Sequence, residues 1–337
     1  MGVDIGGLFE RRVVELSDLA GRTIVVDAYN MLYQFLSVIR QRDGTPLKDA
    51  GGRVTSHLSG LLYRSTNLIE AGIKLVFVFD GTPPLFKAGT IEERVQTRIA
   101  AMEKWEEALA AGSDDVMIYA QASGRLDASM VAEAERLLGY MGIPVVQAPS
   151  EGEAQAAYMV KEGDAYAVAS QDYDSFLFGA PMVLRNITVT GRRKLPRKNV
   201  YVEVKPELLS LEENLERLNL TREQLIDLAI LIGTDYNKGI KGIGPKKALK
   251  LIQSRENIDT ALKQIDAEII EVDSIKNFFQ NPPTTKNYTI NYEKPEKDKI
   301  IELLCEKHDF SHERVSKAIQ RLQEASNTGQ STLDAWI

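Results

Sequence analysis

Short apolar runs recur along the chain, and acidic residues follow three of them within two positions. These runs cover positions 23–26, 75–79 and 166–170, are rich in β-branched or aromatic residues, and have no polar face. Such a run predicts a buried strand of a parallel sheet. The acidic residues that follow the three strands are Asp27, Asp80, Asp172 and Asp174.

Helical periodicity fills much of the chain between and after these strands. It predicts helices over 30–39, 54–71, 91–111, 206–218, 225–232 and 313–325. The alternation is typical of an α/β fold with a central, mostly parallel sheet flanked by helices. Changes in apolar periodicity and charge divide the chain into five segments. These are an α/β block at 1–86, a polar helical insert at 87–130, a second α/β block at 131–256, a helical region at 257–325 and a tail at 326–337.

The insert at 87–130 contains a helix that is charged almost all round and that ends at Gly112. A helix this polar packs poorly on a core, so we expect it to project into solvent or over a cleft. A solvated surface helix is the alternative, and composition alone favours it.

Four aspartates after three strands point to a functional crevice. In an open α/β sheet this crevice lies outside the carboxyl ends of the strands, so the four side chains are expected to meet there. Like charges at close range resist ionisation unless a cation intervenes, which indicates a divalent metal site. Taken singly, each aspartate is better explained as a turn former or a helix N-cap, and it is the set of four on three strands that favours a functional role.

The segment Ser150–Glu153 adds two more acidic residues. It has the pattern of a capping box, with Ser150 at the N-cap and Glu153 reaching back to its amide. Capping accounts for Glu153 but gives Glu151 no role, whereas metal binding accounts for both. The two interpretations are compatible.

A glycine-rich turn between two helices, within 223–254, predicts a phosphate-binding element. Gly242 and Gly244 allow a close backbone approach, Pro245 suits the first position of a helix, and Lys246 and Lys247 follow at its positive end. A tight turn with a structural role alone is the alternative, but the lysines favour DNA.

Bulk composition narrows the class of protein. A net charge of −7 argues against a simple basic nucleic-acid binder, although positive charge is concentrated locally at 192–198 and 238–250. The first basic run is also consistent with a solvated hairpin that turns at Thr190-Gly191. The single cysteine, Cys305, excludes an intramolecular disulfide, and no segment has the length of a membrane span. We therefore expect an intracellular, cytoplasmic protein without a membrane partner.

The last residues have a pattern of their own. Positions 326–329 predict a flexible hinge, and the polar segment after them ends in Leu333, Trp336 and Ile337 at spacings of three and four. Such a segment is typical of a short helix that docks into a partner's groove. The alternative is that it folds back on its own domain.

Three segments together resemble the flap endonucleases of the structure-specific 5′-nuclease superfamily, and most closely the archaeal members. They are the sequences at 76–84, 148–154 and 233–236. The resemblance extends over essentially the whole chain and implies a PIN-like 5′-nuclease fold. It also implies that the insert at 87–130 is a helical arch over the active site, and that the host is archaeal.

The resemblance assigns roles to individual residues. Seven carboxylates match the family's metal-associated positions: Asp27, Asp80, Glu151, Glu153, Asp172, Asp174 and Asp235. Lys87 and Arg94 match two basic catalytic residues, Tyr33 matches an aromatic that stacks on a nucleobase, and Gly2 matches a terminus near the site. The tail matches a motif that binds the sliding clamp, through Gln330, Leu333, Trp336 and Ile337, where Ile337 replaces the usual second aromatic.

The implied activity is that of a metal-dependent phosphodiesterase. It would cut one phosphodiester where a 5′ flap meets duplex DNA, with 5′–3′ exonuclease activity as well, in Okazaki-fragment maturation and DNA repair. The implied cofactors are two Mg²⁺ ions, which Mn²⁺ would replace, with Asp80, Glu153 and either Asp172 or Asp174 nearest to them. The implied partners are 5′-flap DNA and the sliding clamp (PCNA), and the chain itself would be a nucleoid-associated monomer.

Two readings from other classes remain open. A metal-dependent phosphatase for small esters would share the acidic crevice but would not need the glycine-rich turn or the tail. A DNA adaptor bound to the clamp would need both of those and would dispense with Lys87 and Arg94. We assign no role to His57, His308 or His312.

Overall fold

The computed structural model describes residues 2–113, 115–188, 191–194, 201–255 and 257–334, with the backbone alone at 191–194, 201, 255 and 327–334. In these ranges the strands are β1 Arg12–Val13, β2 Thr23–Asp27, β3 Lys74–Phe79, β4 Val145–Gln147, β5 Ala167–Ala169, β6 Met182–Arg185, β7 Gly191–Lys194, β8 Tyr201–Val204 and β9 Glu207–Ser210.

The α-helices fall mainly between the strands and after the last of them. They are α1 Ala28–Val38, α2 Ser56–Glu70, α3 Ala88–Ala110, α4 Val116–Ala122, α5 Ala128–Tyr140, α6 Gly152–Lys161, α7 Asp174–Leu177, α8 Leu211–Leu218, α9 Arg222–Ile232, α10 Pro245–Arg255, α11 Ile258–Gln264, α12 Val272–Gln280, α13 Lys297–Ile301 and α14 His312–Asp334. Short 3₁₀ turns lie at Leu16–Leu19 and Leu85–Lys87, and a π-helical segment at Glu302–Glu306 precedes α14.

Seven strands form the central sheet, in the order β1-β9-β6-β5-β2-β3-β4. The five strands from β6 to β4 run parallel, whereas β9 is antiparallel to β6 and β1 is antiparallel to β9. The predicted fold, a mostly parallel sheet flanked by helices, is therefore confirmed.

Helices cover both faces of this sheet. Because successive residues of a strand point to opposite sides, every residue of a central strand is buried against one of these layers. On β2, Val25 faces the core layer under α6, while Ile24 and Val26 face the layer formed with α1, α2, α5 and α14. A strand covered on both sides needs apolar residues at every position, which explains its unbroken apolar sequence.

A close crossing of two loops shapes the carboxyl edge of the sheet. The amide of Gly81, after β3, donates to the carbonyl of Ser150, after β4, at 2.6 Å. A Cβ atom at position 81 would lie 2.2 Å from the carbonyl oxygen of Ala148, so only glycine fits. The crossing brings the loop that contains Asp80 against the start of α6.

Three local predictions were wrong. Glu207–Ser210 forms β9 and is not part of a helix, because Leu208 and Leu209 bury on opposite sides of the sheet and pairing with β6 outweighs helix propensity. The basic hairpin exists, but Gly191 pairs with Val204 inside it, so its turn is not at Thr190-Gly191. The residues that join β7 to β8 lie outside the described residues.

The third difference concerns the tail. Helix α14 continues across 326–329, where the sequence predicted a hinge. A single glycine in a helix costs only about 1 kcal/mol relative to alanine, which the other residues of a long helix can offset. Within the described part of the chain, no helix combines the length and apolarity that crossing a bilayer requires.

Candidate metal centre

The seven predicted carboxylates gather at the carboxyl edge of the sheet. Asp27 ends β2, and Asp80 follows β3 by one residue. The other five follow β5, flank the start of α6, or follow α9: Asp172, Asp174, Glu151, Glu153 and Asp235. The position of the last of these was expected from resemblance alone. Strands and helices from both α/β blocks thus contribute to one crevice.

The start of α6 differs from the predicted capping box. The N-cap is Glu151 and not Ser150, and its side chain makes no capping hydrogen bond. The first helical amide, that of Gly152, instead donates to Asp80 Oδ1 at 2.6 Å. A carboxylate from another strand therefore takes the place of a local cap.

Glu153 turns towards the crevice because two hydroxyl groups hold it there. The side chains of Ser170 and Ser175 donate to Glu153 Oε1 at 2.9 and 3.0 Å. This explains why Glu153 does not reach back to the N-cap amide. Sequence reasoning did not identify either serine, although both lie within two residues of the pair Asp172 and Asp174.

Asn30 is another supporting residue that the sequence did not reveal. Its side chain donates to Asp172 Oδ2 at 2.9 Å and accepts from the amide of Gln171 at 3.2 Å. Its own amide donates to Asp27 Oδ1 at 3.0 Å. Asn30 therefore ties the carboxylate after β2 to one after β5. Its position three residues after an N-cap aspartate was the available signal.

The N-terminal segment closes one side of the crevice. The amide of Val3 donates to Asp174 Oδ1 at 2.8 Å. A Cβ atom at Gly2 would lie 2.4 Å from the same oxygen, so a larger residue does not fit. Gly2 is near the site, as the resemblance implied.

Burial and mutual repulsion raise the pKa values of most of these carboxyl groups. Burial is the largest cause, and neighbouring carboxylates add to it, as Asp80 does at Asp27 and Asp174 does at Glu153. The pKa values of Asp80 and Glu151 are also raised, chiefly by burial, and that of Asp174 is raised to about 7. Together these groups favour a bound proton or a bound cation.

Lys87 and Arg94 lie among the carboxylates. Lys87 Nζ pairs with Glu151 and lies 3.8 Å from Asp235, while the guanidinium of Arg94 pairs with Asp235. Burial alone would lower the pKa of Lys87, but Glu151, Asp235 and Asp80 raise it above its ordinary value. Lys87 therefore remains a cation at the floor of the crevice.

The predicted polar helix stands over this crevice. Helix α3 buries only Ala101, Trp105 and Ala108, against the neighbouring α4 and the loop before α2, and most of its other side chains are exposed. On its inner side, the guanidinium of Arg98 lies 4.2 Å from the centre of the Tyr33 ring and donates to its hydroxyl at 3.0 Å. Helix α3 and Tyr33 therefore touch directly.

The donor set suits a hard divalent cation. All seven side chains offer oxygen, the ligand that Mg²⁺ prefers, and seven carboxylates carry more negative charge than Lys87 and Arg94 can balance. Across the described residues, no three His, Cys, Asp or Glu side chains are gathered closely enough to hold an ion without rearrangement. Mg²⁺ retains several waters, which suits carboxylates spread around a crevice.

The predicted phosphate-binding turn lies beside α3, where Lys238 Nζ pairs with Glu93 at 2.5 Å. Gly242 has a positive φ of 83°, α10 begins at Pro245, and Lys246 and Lys247 are exposed at its first turn. Lys247 Nζ donates to the carbonyl of Gly242 at 2.9 Å. A Cβ atom at Gly244 would meet no neighbour, so this backbone is open to a ligand.

The tail is described only in part. Gln330 and Leu333 lie in α14, where the backbone alone is defined. Trp336 and Ile337 lie outside the described residues. The predicted docking segment therefore stays a prediction.

Comparison with known proteins identifies two family segments. Residues 7–101 match the XPG N-terminal domain, and residues 142–235 match the XPG I-region. The chain is 59% identical to flap endonuclease 1 of Archaeoglobus fulgidus over 337 residues, with full coverage of both chains. It is 56% identical to that of Pyrococcus furiosus over 341 residues, covering 100% of this chain and 99% of the relative.

Solved structures agree with these relatives. Flap endonuclease-1 from Methanococcus jannaschii superposes with a TM-score of 0.77 at 39% identity, covering 97% of this chain and all of that one. The catalytic core of Rad2 in complex with a DNA substrate superposes with a TM-score of 0.69 at 26% identity, covering 94% and 97%.

Proposed function

The chain belongs to the flap endonuclease 1 family, and from that premise we propose how its crevice cuts DNA. The enzyme is a structure-specific 5′ flap endonuclease, with the role in Okazaki-fragment maturation and repair that is typical of the family. One observation supports the mechanism above all: seven carboxylates from both α/β blocks meet Lys87 and Arg94 at one edge of the sheet.

Nucleases of this family depend on divalent metal, and we propose Mg²⁺ as the ion. Two ions would bind, with Asp80, Glu153 and either Asp172 or Asp174 nearest to them and Asp27 and Asp235 more peripheral. Glu151 would complete the set, and Mn²⁺ would substitute. The bound metal would supply a nucleophilic water and charge stabilisation. Asn30, Ser170 and Ser175 fix the orientation of these carboxylates.

The two cations have a different task. Lys87 and Arg94 would turn from Glu151 and Asp235 to the scissile phosphate, where they stabilise the negative charge that develops during cleavage. Their salt bridges keep both side chains in the crevice until a phosphate arrives. Both residues lie at the foot of the arch. The segment that would enclose the single strand would therefore also supply the two cations at the scissile phosphate.

Binding to DNA would use two surfaces. The open backbone at Gly242 and Gly244, with Lys246 and Lys247, would seat phosphates of the duplex. Tyr33 would stack on a base beside the cut, and the arch would enclose the flap.

The tail would bind the sliding clamp through Gln330, Leu333, Trp336 and Ile337. The enzyme would act as a monomer.

An end-labelled 5′-flap DNA tests this proposal directly. We expect incision at the flap junction with Mg²⁺, none with EDTA, and no hydrolysis of a small phosphate ester. Lys87→Ala is expected to lose most of the rate. Lys104→Ala is the matched control, because Lys104 is an exposed lysine on α3, the helix that follows Lys87, and lies outside the crevice.

Two outcomes would contradict the proposal. Hydrolysis of the ester alone would indicate a phosphatase. Tight binding of the flap without incision under either condition would indicate an adaptor.

A further inference from the structure

Five aromatic rings pack together beneath the foot of the arch. The ring of Phe86 meets Tyr236 and Phe278 edge to face, with centroids 5.2 and 5.3 Å apart. Tyr236 in turn contacts Phe278 and Phe279, each at 5.2 Å, and both phenylalanines contact Phe178 at 5.9 and 5.0 Å. We call Phe86, Phe178, Tyr236, Phe278 and Phe279 the aromatic cluster.

The aromatic cluster adjoins two charged residues of the crevice along the chain. Phe86 directly precedes Lys87, and Tyr236 directly follows Asp235. Phe278 and Phe279 belong to α12, far along the chain in the C-terminal helical region. The cluster therefore joins the arch foot, an acidic loop of the crevice and a distant helix.

Phe86 is the aromatic side chain that anchors the arch foot, beside the ion pairs of Lys87 and Arg94. The preceding residue, Leu85, is 95% exposed, so it packs against nothing there. The 3₁₀ turn Leu85–Lys87 has no side-chain cap, and the first helical residues of α3 are exposed. Edge-to-face pairs contribute roughly 0.5–1.5 kcal/mol each beyond their buried area, and Phe86 makes two.

Lys87 Nζ lies against the same aromatic cluster. The ammonium group lies 5.9 Å from the centre of the Tyr236 ring and pairs with Glu151. A shift of about 1 Å in a group that contacts the reacting phosphate costs as much as a hundredfold in rate. A ring that fixes the backbone one residue away therefore affects cleavage even though it does not reach the crevice.

We propose that Phe86 is a positioning residue for Lys87, and that Phe278 on α12 is the partner that holds it. This inference rests on the proposed role of Lys87 at the scissile phosphate. Its consequence is that the C-terminal helical region contributes to catalysis from outside the crevice.

The test compares single-turnover cleavage of a 5′-flap DNA in Mg²⁺ by the full chain and its variants. Phe86→Leu is expected to slow cleavage at least tenfold, while its Kd for the flap stays within twofold of the wild type. Phe278→Leu is expected to do the same from the other side of the contact, with the arch sequence unchanged. Leu322→Ala is the control, because it removes a buried side chain on α14 away from the crevice.

A double-mutant cycle separates positioning from general loss of stability. In the background of Lys87→Ala, Phe86→Leu is expected to change the rate less than twofold, because the group it positions is gone. An equal effect in both backgrounds, or a loss no greater than that of Leu322→Ala, would overturn the inference. If Lys87→Ala itself cleaves at the wild-type rate, the proposed role of Lys87 fails, and this inference fails with it.

Discussion

Replacing Asp174 with asparagine is expected to stabilise the metal-free protein at neutral pH and abolish cleavage. Asp174 is 4% exposed, and burial together with Asp235 and Asp172 raises the pKa of its carboxyl to about 7. Asparagine keeps the oxygen that accepts the hydrogen bond from Val3 but has no charge. The substitution therefore removes the cost of ionising a buried group and retains its contact.

The size and sign of this effect follow from the pKa shift. A raised carboxyl pKa means that the folded state binds the proton more tightly than the unfolded chain does. The penalty is absent below about pH 4, grows as the pH rises from the ordinary value of 3.8 to about 7, and is complete above that. About three pKa units correspond to about 4 kcal/mol. Since neighbouring carboxylates titrate together with Asp174, we expect a gain of about 1–4 kcal/mol.

Urea unfolding at pH 4 and pH 8, with EDTA or with Mg²⁺, measures this gain. The variant and the wild type should have nearly equal free energies of unfolding at pH 4 and differ most at pH 8 in EDTA. Mg²⁺ should narrow or reverse the difference, because the wild type gains binding free energy that the variant loses. A variant less stable than the wild type at pH 8 in EDTA would refute the reasoning.

Asp127→Asn is the matched control for this experiment. Asp127 is exposed, and hydrogen bonds from Ser129 and the amide of Met130 lower the pKa of its carboxyl. Asparagine caps a helix as well as aspartate does, so the control should stay within about 0.5 kcal/mol of the wild type and should not respond to Mg²⁺.

Three further predictions concern the arch, the tail and the core. Arg94→Ala should slow single-turnover cleavage about a hundredfold, as expected when one stabilising donor is lost, while gel-shift affinity for the flap changes little; an unchanged rate would remove Arg94 from the mechanism. Deletion of residues 330–337 should leave intrinsic cleavage intact and abolish stimulation by the sliding clamp, and persistent stimulation would contradict the tail assignment. Gly60→Ala should lower the free energy of unfolding by about 1–3 kcal/mol, because its Cβ would lie 2.2 Å from the Phe35 ring. Gly139→Ala, an exposed helical position with no close neighbour, should raise the free energy of unfolding by up to about 1 kcal/mol, and equal effects at the two glycines would show that the crowding argument is wrong.

The parts of the site that could be predicted are those that adjoin a regular element. Asp27 and Asp80 follow strands that are apolar on both faces, so local pattern alone located them at the carboxyl edge. Asp235 follows a helix and a glycine, and its position depends on how α9 packs, so only resemblance to a known family pointed to it.

The supporting residues were harder to predict because their partners are distant in sequence. Asn30 reaches Asp172 across 142 positions, and its place after Asp27 indicates a role beside that aspartate but not the contact with Asp172. The helix predicted over the residues of β9 was wrong for the same reason. These residues favour a helix locally and form a strand only because they pair with β6.

The loop crossing at Gly81 has a consequence for redesigning the choice of metal. Backbone contacts with Ala148 and Ser150 set the spacing between the loop of Asp80 and the start of α6. Exchanging carboxylate side chains would alter the charge and the number of donors in the crevice but would leave this backbone spacing unchanged. Because Ca²⁺ is larger than Mg²⁺ and takes more oxygen ligands, a crevice redesigned for Ca²⁺ would need added donors and also more room between these two loops.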